Sequence, residues 1–232
     1  MLVIAKKDFR QYFTSPVGYV CVAVVLALYG FFYYEVISAR SSGYIPGIYS
    51  SMLIWCMMII PILTMRTFSE EEKNRTDQLL LTSPVSIPGI VTGKFTAAAL
   101  VFTIMTLGSL LPCFFISAHG SPPWALIIGN IIASLAYGFA MIAIGLFVSS
   151  MTSSQIIAAI ITFAVSMMLI LIDHIPGGHT LLNKAAGWIS FRARYDAFAQ
   201  GRFSICNLAF FISVIAIFLF LTVRRIESRR WR

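Results

Sequence analysis

RTFSEEEKNRTDQLLLTSP, residues 66–84, is a charged run set between two segments apolar enough to cross a membrane. It holds Glu70, Glu71, Glu72 and Asp77, four of the nine acids in the chain. Thr67 with Glu70, and Ser69 with Glu72, have the S/T-x-x-E spacing in which a side chain and a backbone amide satisfy each other at a helix start. The spacing therefore predicts a short helix beginning here. Glu70 with Lys73 and Glu71 with Arg75 stand three and four residues apart in the favourable acid-first order. Leu79, Leu80 and Leu81 give the far end an apolar tip, and Pro84, with Pro88 behind it, stops the helix. A charged helix with an apolar end, held between two membrane spans, is suited to docking on something in the water, as a helix docks in a groove.

The rest of the composition fits that setting. The chain has 232 residues, 59% hydrophobic and only 11% charged, with mean hydropathy +0.86, whereas a soluble domain carries roughly a quarter charged residues. It reads as an all-α polytopic membrane protein forming a single domain over 1–232. The net charge of +8 does not point to nucleic acid, because the bases cluster beside apolar spans rather than on a solvated face. Cys21, Cys56, Cys113 and Cys206 lie in or beside apolar segments with no C-x-x-C pair, the pattern of structural cysteines. The first hydrophobic run is too long for a signal-peptide core and reads as a retained span.

Working outward, residues 1–15 place Leu2, Phe9 and Phe13 on one helical face and Lys6, Lys7 and Arg10 on another, as in a helix lying in the headgroup layer. Val17–Ile37 is long enough to cross. The second span is Ser51–Met65, starting a few residues earlier, with Pro61 placed to kink it. Gly93–Ser117 is the third, with Pro112 near its outer end, and Trp124–Val148 the fourth, carrying a strip of Ser134, Gly138 and Gly145 that suits close helix packing, within the chain or against a second copy. The hydroxyl-rich SSMTSSQ, residues 149–155, can cap the helices on either side. Ile156–Ile172 is the fifth span. In the outer loop 173–204, Phe191, Tyr195 and Phe198 share a face while Arg192 and Asp196 pair on another, predicting an amphipathic helix. Ile205–Val223 is the sixth.

Basic residues orient these spans. Lys6, Lys7, Arg10, Arg66, Lys73, Arg75, Lys94, Arg224, Arg225, Arg229, Arg230 and Arg232 fall on one side; Arg40, Lys184, Arg192, Arg194 and Arg202 fall on the other. The richer side is the cytoplasm by the positive-inside rule, so both termini face inward across the cell membrane.

Enzymatic signatures are missing. The Gly-Lys at Gly93 and Lys94 lacks the upstream glycine of a phosphate-binding loop, and there is no H-E-x-x-H or G-x-S-x-G. ATP is not hydrolysed here by that route, and no cofactor or metal is expected in this chain. Asp173, His174 and His179 could form a metal or proton site, but beside Pro-Gly-Gly they read as groups in interfacial water, as does Glu35. Trp124, Trp188 and Trp231 read as interface anchors.

Arg66, Glu70, Glu71, Glu72, Thr76, Leu79, Leu80, Leu81, Thr82, Ser83, Pro84, Gly93 and Lys94 together resemble the coupling segment of type-2 ABC export permeases, compact gliding-motility-type subunits among them. The family's usual glycine before the threonine is Arg75 here. GLFVSSMTSSQIIAA, residues 145–159, is similar to a second motif of the family, and FRARYDAFAQG, residues 191–201, resembles the element before its last span. The resemblance implies a permease subunit whose coupling helix, including Arg75, sits in a cleft of a separate ATP-binding subunit. ATP and Mg would be held there. It also implies two membrane halves, from a second copy or a sibling permease, set among membrane lipid. A membrane scaffold that recruits a cytoplasmic partner without transport is the alternative, and an intramembrane enzyme using Asp173 and His174 a more distant one.

Overall fold

The computed structural model describes residues 2–38, 45–76, 86–117, 122–171, 190–202 and 205–230. Helix α1, Leu2–Thr14, leads through Ser15 into α2, Pro16–Ser38. Proline suits a first helical position, where its missing N–H is not needed. The chain continues with α3 (Ile45–Thr64), α4 (Ser69–Lys73), α5 (Ile87–Gly108), α6 (Leu110–Ser117), α7 (Trp124–Ser149), α8 (Gln155–Leu171), α9 (Phe191–Ala199) and α10 (Ile205–Arg230). No strand occurs among the described residues.

Among the described residues, five stretches are long and apolar enough to cross a membrane: α2, α3 with its short extension, α5 with α6, α7 and α10. The expected fifth span is the 17-residue α8, about 25 Å long at 1.5 Å per residue. Its role follows from connectivity. Ser150, before α8, meets Arg229 at one end of the bundle, whereas Tyr195, after α8, meets Asn130 and Ser134 near the other end of α7. The chain must therefore pass from end to end between them.

Several boundaries differ from expectation for local reasons. The second span begins at Ile45, not Ser51. The third is broken at Ser109, because the Pro112 ring conflicts with the carbonyl four residues back, at Gly108. At the break, the Ser109 hydroxyl donates to Thr106 O at 2.6 Å and meets Tyr49 Oη at 3.0 Å. Pro61 lies inside α3, which carries on to Thr64. The last helix runs past Val223 to Arg230, well beyond its apolar section.

Helix α7 is the centre of the bundle, packed against α3, α5, α8, α9 and α10. Small residues make this possible. A side chain at Gly138 would strike the Phe102 ring of α5, and one at Gly145 would strike the Thr64 side chain of α3. Ser134 is buried against Tyr195, 3.3 Å from its hydroxyl. The strip of Ser134, Gly138 and Gly145 thus packs inside the chain, against α5, α3 and α9.

At the other end, α9 folds as its pattern predicts. The Ser190 hydroxyl accepts from Ala193 N. Phe191, Tyr195 and Phe198 are buried, and Arg192 lies 3.9 Å from Asp196. Its aromatic face packs on Tyr137 and on Phe210 and Phe211 of α10 rather than on lipid alone. Glu35 is exposed in the last turn of α2.

Candidate functional site

Between Thr64 and Thr76 the chain leaves α3, makes one compact turn and forms α4. Thr64 donates to Ile60 O at 3.0 Å, and the Thr67 hydroxyl donates to Thr64 O. Neither predicted capping box forms. Thr67 is committed backward to α3, and the Ser69 hydroxyl donates to Ser149 O at 3.0 Å. The cap comes from elsewhere in the sequence: Ser149 Oγ, at the end of α7, accepts from Phe68 N and Ser69 N, both at 3.2 Å. Free amides at a helix start need such an acceptor, and a distant serine supplies it.

The three glutamates also reach outward. Glu71 Oε1 lies 2.7 Å from Lys94 Nζ of α5, rather than pairing with Arg75. Glu70 accepts from Arg66 at 2.9 and 3.3 Å, rather than pairing with Lys73. Glu72 lies 3.0 Å from Arg229 of α10. Lys94, with its side chain only 3% exposed, also donates to Thr67 O at 2.9 Å, stands 3.3 Å from Asp8 of α1, and lies 5.1 Å from the Phe68 ring centre. A buried ammonium is tolerable only with this density of partners. Burial pushes the Glu71 carboxyl above its ordinary range, an effect that the charge and hydrogen bond of Lys94 oppose. Arg66 adds a link to Ser15 at 3.0 Å, and Arg229 donates to Ser150 O at 2.6 Å.

The far end of α4 closes within two residues. Thr76 N donates to Glu71 O at 2.9 Å and Arg75 N to Glu72 O at 3.1 Å, the paired bonds of a Schellman cap. Arg75 takes the left-handed conformation this requires, at φ 56°. That is a position where glycine is at ease and a side chain is strained. The predicted helix therefore ends at Lys73 and does not run on unbroken to the leucines. Leu79, Leu80, Leu81, Thr82, Ser83 and Pro84 lie outside the described residues, as do Asp173, His174, His179, Trp188 and Trp231.

What α4 shows to water is Lys73, Asn74, Arg75 and Thr76, all exposed. Of the predicted docking residues, Arg66, Glu70, Glu71 and Glu72 are half-buried and bound to the chain itself, while Arg75 and Thr76 are outward. Sequence reasoning missed Asp8, Ser149 and Arg229 as parts of the site. Asp8 had one signal, a lone acid among the bases of α1. Ser149 lies in the hydroxyl-rich run expected to cap its own flanking helices, but nothing there points to α4, and nothing local sets Arg229 apart from neighbouring arginines.

A family model described as "ABC-2 family transporter protein" matches residues 2–225. No curated protein matches the chain.

Proposed function

The chain belongs to the ABC-2 transporter family and is a membrane permease, and we propose that it works with an ABC ATPase subunit and couples that partner's ATP hydrolysis to export through α4. The observation that carries this reading is the fastening of one five-residue helix to four others: α1 and α5 through Asp8, Lys94 and Glu71, α7 through Ser149, and α10 through Arg229. A push on Lys73–Thr76 has no slack in which to be lost. The ATPase subunit grips that exposed edge, together with the leucines beyond it, and closure around ATP and Mg moves the bundle end as one piece. Two permease halves, from a second copy or a sibling, separate at their interface to pass cargo outward across the cell membrane, with both termini in the cytoplasm.

The test is co-purification with the ATPase subunit in lipid. Reversing the exposed bases, Lys73→Glu with Arg75→Glu, is expected to release the subunit or to abolish the permease's effect on its turnover, while Lys6→Glu on α1 does neither. Indifference to the double change removes α4 from the partner contact. A bound subunit whose turnover never responds to the permease favours a recruiting scaffold instead.

A further inference from the structure

Helix α1 lies across the end of the bundle at which α2 begins, α3 ends and α5 begins. The Tyr12 hydroxyl donates to Leu63 O at 2.9 Å, and Asp8 stands 3.3 Å from Lys94 in the early part of α5. The elbow at Ser15 is sharp: Gly18 comes so close to the Tyr12 carbonyl that no side chain fits between them. At about 100° per residue, α1 then has three distinct sides. Ala5, Asp8 and Tyr12 face the bundle, with Ala5 and Asp8 buried. A quarter-turn round stand Phe9 and Phe13, their ring centres 5.1 Å apart, and Phe13 leads on to Tyr19 of α2, 5.7 Å away and 59% exposed. Another quarter-turn round, opposite the bundle, stand Lys6, Arg10 and Lys7, all exposed.

These three bases are neighbours without a counter-ion. Lys6 is four residues and Lys7 three from Arg10, spacings at which like charges oppose the helix. Arg66, Lys94, Arg192, Arg224 and Arg229 each stand beside an acid, whereas Lys6, Lys7 and Arg10 form no ion pair among the described residues. Asp8, the one acid of α1, is turned the other way, onto Lys94.

We propose that the row of Lys6, Lys7 and Arg10 is a docking surface for anionic phospholipid, with the headgroup charge along the bases and the acyl chains bordered by Phe9, Phe13 and Tyr19. The side on which the bases stand favours lipid over a soluble occupant. In a helix lying at the interface with its apolar flank toward the hydrocarbon and a second side against the bundle, the side opposite the bundle is level with neighbouring headgroups. A zwitterionic headgroup brings its own cation and leaves the row uncompensated. The inference rests on the reading that this end faces the cytoplasm, where the bilayer surface is anionic, and not on docking at α4.

The full chain in nanodiscs of equal phosphatidylglycerol and phosphatidylcholine with matched acyl chains, released for native mass spectrometry, reads this directly. Both faces of the disc carry the same lipids, so the result does not depend on which side is the cytoplasm. Phosphatidylglycerol is expected to be retained in excess. Each base beside an anionic surface is worth about fivefold, so Lys6→Gln with Arg10→Gln is expected to cut that excess by about tenfold or more. Lys6→Arg with Arg10→Lys, which moves no charge, keeps it. Arg224→Gln with Arg225→Gln on α10 leaves most of it, because Arg224 is already held by Glu227 at 3.2 Å. No excess in the unaltered chain overturns the proposal. An equal loss from the α10 pair also overturns it, making the preference a matter of net charge, as does equal thermal stabilisation by inorganic phosphate, which points to a soluble anion. An ATPase subunit released by Lys6→Gln with Arg10→Gln at unchanged lipid retention would overturn it in favour of a protein occupant.

Discussion

Lys94 is the residue on which the site turns. It is buried between Asp8 and Glu71, so removing its charge leaves two carboxylates without a counter-ion in a partly dry place. Lys94→Met, which keeps the length and apolar stem, is expected to destabilise the fold by about 3–5 kcal/mol, read as a fall in the thermal midpoint of the purified chain. A fall no larger than that of an exposed lysine substitution would contradict the buried-triad picture. Arg75 predicts the opposite sign. Its left-handed backbone costs a side-chain-bearing residue about 1 kcal/mol, so Arg75→Gly should raise the midpoint, less the freedom glycine adds to the unfolded chain. An unchanged or lower midpoint would mean that the Arg75 side chain contributes as much as the strain costs.

At the scale of elements, α4 is held by its surroundings rather than by its own sequence. Five residues cannot sustain a helix alone, and its N-terminal amides depend on Ser149. Ser149→Ala therefore removes the shared acceptor and is expected to cost about 2 kcal/mol, with faster amide exchange at Phe68 and Ser69 than elsewhere in the segment. Unaltered exchange there would show the cap to be dispensable. The same dependence explains what could be read in advance. Apolar length located α2 and α7 almost to the residue, and periodicity picked out the buried face of α9, because those helices are specified by their own pattern and flanks. The charges of α4 suggested caps and i, i+4 pairs within the segment, and there the reading failed. Thr67 turned back to the end of α3, while Ser69, Glu71 and Glu72 each found a stronger partner on a helix distant in sequence, and spacing alone holds no record of such partners. The break at Ser109 shows a third case: Pro112 was noted, but its effect falls four residues upstream.

For the whole molecule, the charged end works as a clasp. α7 runs through the middle of the bundle, while α10 is mostly open to its surroundings and is tied back at its C-terminal end by Arg229 to Glu72 and Ser150. α1 closes the other side through Asp8. The family was legible from two motifs and the order of spans. What those motifs did not convey is which side of α4 faces outward, since the acids that carry the resemblance are the ones turned inward. In the proposed mechanism, transmission through the clasp and docking on its exposed edge are thus separable. The measurement that addresses this most directly is ATP turnover of the complex in lipid, relative to the ATPase subunit alone, for the unaltered chain and for Glu72→Gln with Arg229→Gln. The account predicts that the ATPase subunit stays bound to the variant while its turnover loses the influence of the permease, because the edge is intact and the tie to α10 is cut. Turnover that keeps its full response with that tie removed would contradict transmission through the clasp.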